Sequence, residues 1–122
     1  MNKFDLEERL IDFAVLSINV SSSLPNTVTG RNLSGQLNRS GTSPALNYGE
    51  AQSAESRKDF IHKMKVILKE LRETHICFRI IKKANLTIEN RLIEEALSEC
   101  NELISIFVSS IKTAELKSPR SK

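Results

Sequence analysis

Apolar residues recur at alternating steps of four and three through most of the chain, the spacing that aligns side chains on one face of an α-helix. Leu6, Leu10, Phe13, Ser17, Val20 and Leu24 form the first such seam and predict a helix over residues 4–23. Ile11, Ala14 and Ile18 add a second row beside it, so this helix has more than one neighbour to pack on. A second pattern covers residues 31–52, with a thinner stripe of Leu33, Leu37, Gly41, Pro44, Tyr48 and Ala51. Small residues at Ser40, Gly41 and Ala45 leave room for another backbone to approach closely. Pro44 carries no amide proton, and its ring collides with the carbonyl four residues earlier, a defect worth ~3 kcal/mol in a regular helix. A kink or break is therefore predicted near residues 40–43.

Ser56 followed by Asp59 reads as a capping-box-like start to a third helix over residues 57–83. Phe60, Met64, Ile67, Leu68, Leu71, His75 and Phe78 share its apolar face. Near its end the run HICFRII is apolar on almost every side, with Ile76 and Ile80 lying away from the main seam. Such a surface requires cover. KANLT breaks the pattern, Thr87 is the predicted N-cap, and a fourth helix follows over residues 88–111. Its apolar residues, from Leu92 to Ile111, span ~160° of arc, where a helix buried on one side needs about 100°. That surplus predicts a second partner. Ile76, Ile80, Ile93, Leu97 and Ile104 are the candidate contacts between copies of the chain. Residues 114–122 lose periodicity and are predicted to fray. The pattern as a whole describes one all-α domain over residues 1–113, a four-helix bundle assembled as a homo-oligomer.

Composition supports this architecture. With no Trp, one Tyr, four Gly and three Pro in 122 residues, the chain lacks the aromatic strands and frequent turns of an all-β domain. Acidic residues interrupt the N-terminal MNKFDLEERLIDF, where a secretory leader needs an uninterrupted apolar stretch, so no leader is expected. No window approaches the ~20 apolar residues of a membrane span, so a cytoplasmic protein is expected. Cys77 and Cys100 fall inside apolar helical patterns and are read as reduced and buried. A zinc site joining them to His75 would lack a fourth ligand and a CxxC pair, so no metal or cofactor is expected. His75 itself is read as a packed core residue.

Charge changes the picture further. Residues 57–83 hold nine basic and three acidic side chains, whereas residues 84–111 hold one basic against five acidic. Projected on a helix, Lys58, Lys65, Lys69, Arg72, Arg79 and Lys83 fall within ~80° of one another. This stripe has two readings: it pairs with acids of a neighbouring helix or subunit, or it is a rail for nucleic-acid phosphates. No aromatic residues interleave with it, so base stacking has no support. Arg57 and His62 resemble the Arg-x(4–6)-His pair of HEPN-type ribonucleases. On one continuous helix, however, the two point ~140° apart, and they converge only if the helix starts after Arg57. No phosphate loop, nucleophile elbow or paired-carboxylate constellation is present, so the expected protein is not an enzyme.

A polar row on the second helix carries a resemblance. Gln36, Ser43, Asn47 and Glu50, with Arg39 beside them, lie in QLNRSGTSPALNYGEA, which is followed by SRKDF and LKELRE. This order is similar to the signature of the bacterial four-helix bundle proteins first met in intervening sequences of 23S ribosomal RNA genes. The matching positions are Gln36, Leu37, Arg39, Ser43, Asn47, Glu50, Ser56, Asp59, Phe60, Glu70 and Leu71. Two positions depart from the pattern: Ala51 stands where Gly often follows the Glu, and Pro44 comes directly after Ser43. The resemblance implies an up-and-down bundle assembled as a ring, often a pentamer. It also implies distant similarity to basic accessory proteins of diversity-generating retroelements, which contact nucleic acid and a reverse transcriptase. The expected function is thus an oligomeric module binding RNA or DNA through the third helix. The alternatives are a scaffold for a nucleic-acid-processing protein and, third, a HEPN-like ribonuclease.

Overall fold

The computed structural model describes residues 1–117 and consists of four helices in sequence, α1 (Lys3–Ser22), α2 (Val28–Ala51), α3 (Arg57–Lys83) and α4 (Asn90–Lys117). There are no strands among the described residues. The first three helices each start where a side chain satisfies free amides. Asn2 Oδ1 accepts from the amides of Phe4 and Asp5, both at 3.0 Å. Thr27 Oγ1 accepts from Gly30 N, and Ser56 Oγ from Asp59 N, also at 3.0 Å. Asn85 ends α3 in a left-handed conformation (φ 53°), which lets Leu86 N reach back to Ile81 O at 3.1 Å. Short connections then turn each helix against its predecessor, and α1 also meets α4 to close the bundle.

The interior is aliphatic with two aromatic contacts across its diagonals. Phe13 meets Phe78 edge to face at 6.1 Å between centroids, and Tyr48 meets Phe107 in the same way at 6.1 Å. The small residues of α2 act as expected at Gly41, where an added Cβ would lie 2.4 Å from Ser17 Cβ of α1. Ser40 and Thr74, both fully buried, place their hydroxyls 2.9 Å apart between α2 and α3. Thr74 therefore takes the inward position, and His75, expected on the apolar face, is half-buried.

Several expectations need correction. No break occurs at Pro44: α2 runs uninterrupted from Val28 to Ala51. Pro44 is buried, and Thr42 and Ser43 donate hydroxyl hydrogen bonds to Asn38 O and Arg39 O at 2.7 and 2.6 Å in the turn before it. Thr87 does not cap α4. Its hydroxyl accepts from Glu89 N at 3.0 Å and lies 2.8 Å from Ser23 Oγ, tying the α3–α4 connection to the end of α1. Residues 114–117, expected to fray, continue α4, because Ala114 is buried and Glu115 meets Lys65. The rest of the predicted frayed tail, 118–122, lies outside the described residues.

The proposed oligomer contacts divide. Ile93 is 2% exposed and belongs to the chain's own core, so it cannot face another copy. Leu97 and Ile104 are half-buried against that core. Much of the wide apolar arc of α4 is thus used within one chain. Ile76 and Ile80 remain exposed, as do Ile11 and Ile18 in the second row of α1.

Candidate nucleic-acid interface

One face of α3 is committed to the interior through Met64, Ile67, Leu71, Thr74, Cys77, Phe78 and Ile81. Helical geometry therefore directs residues half a turn away to solvent. Lys58, Lys65, Lys69, Arg72, Arg79 and Lys83 occupy that outer side, and all six are exposed. From Lys58 to Lys83 the stripe rises ~38 Å at 1.5 Å per residue. Lys65 Nζ lies 3.0 Å from Glu115 of α4. Among the described residues, the other five make no ion pair. The other lysines of α3 that pair with neighbouring helices, Lys63 with Glu50 at 3.8 Å and Lys82 with Glu94 at 2.7 Å, lie off the stripe. Pairing within the chain therefore accounts for one member of the stripe and leaves five cations facing water. Ile76 stands exposed among them.

The polar row of α2 serves the α2–α3 seam. Arg39 reaches across it, with Nη1 3.1 Å from Glu70 Oε1 and Nη2 2.8 Å from Glu73 Oε1. These contacts raise the guanidinium pKa, the hydrogen bond to Glu73 contributing most. Ser43 fastens to the carbonyl of the same arginine, and Glu50 approaches Lys63. Asn47 is half-buried, and exposed Gln36 lines a shallow apolar groove with Leu33, Glu73, Ile76, Cys77 and Ile80. The motif thus holds two helices together, and Glu70 and Glu73 form an acidic clasp beside the basic stripe rather than an acid–base pair.

A second clasp escaped the sequence reading. Arg9 of α1 donates to both oxygens of Glu99 on α4, Nε to Oε2 at 2.7 Å and Nη2 to Oε1 at 2.8 Å, and Nη2 also reaches Glu102 at 2.8 Å. The Glu99 hydrogen bond is the main reason its pKa is raised. Only the acidic bias of the fourth helix hinted at such a partner. Beside this clasp, an α1–α4 cleft is lined by Asp12, Glu95, Glu99 and Glu102.

The remaining candidates hold no reactive geometry. α3 begins at Arg57 itself, so Arg57 and His62 lie on one continuous helix and project apart. Burial pushes the Cys77 thiol up to about 11 and the Cys100 thiol up to about 12, the latter also under the influence of Glu99. Cys100 Sγ donates to Leu71 O at 3.3 Å. His75 is held below its usual range by burial and then by Arg79. Among the described residues, no three His, Cys, Asp or Glu side chains are grouped to hold a metal, and no helix is long and apolar enough to cross a membrane.

Fold and surface together define an all-helical, up-and-down four-helix bundle with an exposed cationic face on its third helix. The family model for the 23S rRNA-intervening sequence protein matches residues 2–109, and the chain belongs to that family. It is also similar to a solved structure from Bacteroides thetaiotaomicron, described as a protein of unknown function from the S23 ribosomal protein family. The two share 30% identity and a TM-score of 0.81, over 92% of this chain and 99% of the other. No functionally curated protein matches.

Proposed function

We propose that the protein is a non-enzymatic, oligomeric helical module of the cytoplasm that binds the phosphate backbone of RNA or DNA along the outer face of α3. The observation that carries this reading is the ~38 Å line of exposed cations, five of the six without an ion pair among the described residues. Arg and Lys side chains spaced along a straight helix suit phosphates, which repeat regardless of base sequence. The absence of aromatic residues on the stripe favours backbone contact over base stacking. Sequence-independent binding is the expected mode.

Oligomerisation would multiply this surface. Phe4, Ile11, Val15 and Ile18 recur at steps of seven, four and three on α1 and are 67, 41, 51 and 43% exposed. A seam of this kind on the outside of a helix is the pattern by which helices of separate chains associate. It supports a homo-oligomer, with a ring such as a pentamer as the expected form, and it replaces Ile93 as the contact surface. Light scattering should show several copies per particle, with Ile11→Ser/Val15→Ser reducing the mass.

The direct test of the function is charge reversal. Lys69→Glu/Arg72→Glu/Arg79→Glu should abolish the anisotropy change of a labelled duplex or single strand while leaving the thermal melt intact. Binding unchanged by the triple reversal would remove the α3 reading. A second reading, a scaffold for a nucleic-acid-processing protein, draws on the apolar groove of Leu33, Ile76 and Ile80. It predicts partner capture that survives nuclease treatment and is lost in Ile76→Glu.

A further inference from the structure

We infer that the end of the bundle where α1 and α3 begin is a binding site for a phosphate monoester carried on a planar group: a nucleoside monophosphate, either free or at the terminus of a nucleic-acid strand. The first turns of α1 and α3 and the last turns of α2 and α4 enclose an open bowl of about 380 Å³, within the size range of small-molecule sites. Its composition is selective. Lys3, Arg57 and Lys117 stand at its edge, and no carboxylate is among the lining residues. The α1–α4 cleft of the same bundle is lined instead by four carboxylates, of which Arg9 holds Glu99 and Glu102. The bowl at the end of the bundle is thus lined by cations without carboxylates, unlike the cleft on its side.

Three further features point to a phosphate on a larger ligand. Arg57 and Lys117 make no ion pair among the described residues, and Lys3 Nζ lies 5.4 Å from the centre of the Phe4 ring rather than against an acid. The first turns of α1 and α3, capped by Asn2 and Ser56, both end here, and hydroxyls of Ser109 and Thr113 supply neutral donors. The floor is apolar, with Leu6, Tyr48 and Met64 buried beneath and Phe60 half-buried beside them. A bare anion would leave that floor unmatched, whereas a base or comparable ring would cover it. Arg57 also precedes Lys58, the first cation of the α3 stripe, so a strand lying on the stripe reaches the bowl with its end.

The strand-end form of this inference rests on the α3 reading, and the free-nucleotide form does not. Calorimetry with adenosine 5′-monophosphate and with adenosine separates the phosphate from the ring. The monophosphate should bind at least tenfold more tightly. Anisotropy should show the same preference for a strand bearing a terminal phosphate over one ending in hydroxyls. Arg57→Ala/Lys117→Ala, two surface changes checked by an unaltered melt, should erase both preferences. The Lys69→Glu/Arg72→Glu/Arg79→Glu protein should still bind the monophosphate; if it does so while strand binding vanishes from the wild type, only the α3 reading fails. No monophosphate binding up to millimolar concentration, equal binding of monophosphate and adenosine, or binding indifferent to Arg57→Ala/Lys117→Ala would overturn the site.

Discussion

Three glycines of α2 should respond with opposite signs to the same substitution. In a helix interior alanine is favoured over glycine by about 0.8–1.0 kcal/mol, because the backbone loses less freedom on folding. At Gly35 and Gly49 an added Cβ meets nothing within 4 Å, so Gly35→Ala and Gly49→Ala should each stabilise by roughly 0.5–1 kcal/mol. At Gly41 the new atom would lie 2.4 Å from Ser17 Cβ and 2.5 Å from Ser17 Oγ, more than an ångström inside the ~3.5–4.0 Å optimum for carbon pairs. Ser17 is fully buried and its hydroxyl donates to Phe13 O at 2.9 Å, so it cannot swing aside into solvent, and α1 must shift. Overpacking of this kind costs about 1–3 kcal/mol, which exceeds the propensity gain. Thermal melts by circular dichroism at one protein concentration should place Gly41→Ala several degrees below the wild type and the other two above it, at roughly 3–5 °C per kcal/mol for a chain of this size. In a Ser17→Gly background the sign at Gly41 should reverse. A Gly41→Ala protein that melts higher than wild type, as the other two do, would refute the close α1–α2 approach.

Other consequences follow from the polar groups. His75 has a folded pKa below its unfolded value of 6.5, so below that pH the unfolded chain binds the proton more readily; stability should fall as pH drops from about 7 towards the folded value, and His75→Gln should flatten that slope in urea titrations. Cys77 and Cys100 are buried and protonated at neutral pH, so a disulfide reagent should modify neither in the native protein and both after denaturation. Arg9→Met removes three charge-assisted hydrogen bonds between α1 and α4 and should cost about 1–2 kcal/mol in urea unfolding. Arg39→Ala, at an exposed clasp, should cost less than 1 kcal/mol.

The contrast between Arg9 and the helical seams shows what was legible in the chain. Alternating steps of four and three announce a buried face, so the seams of α1 and α3 fall where the pattern puts them, at Leu6 to Val20 and at Met64 to Phe78. The Ser56 cap was equally visible, because its partner lies three residues away. Thr27 was harder to see, since it stands in PNTVTG among several residues able to cap, and exposed Val28 and Thr29 carry no periodicity. At Pro44 the helix is continuous and the ring is buried, a tertiary circumstance that overrides local propensity. Arg9 and its carboxylates are ninety and more residues apart, and nothing local links them. The basic stripe was readable because six residues of one helix share a side whatever surrounds it. Which of them stay unpaired became visible only with α4 in place, since Glu115 comes from its last turns. Ile93 was misassigned because the width of an apolar arc does not say how much of it one chain can cover.

The salt dependence of nucleic-acid affinity tests the central claim most directly. With five phosphates neutralised by Lys58, Lys69, Arg72, Arg79 and Lys83, the logarithm of the duplex association constant should fall with that of salt concentration at a slope near −4.5, a loss of roughly 500-fold between 50 and 200 mM. Titrations of labelled duplex over that range should recover this slope, and replacing Arg72 alone with Ala should reduce it by about one. A slope near zero, or no binding at the lowest salt, would contradict the account.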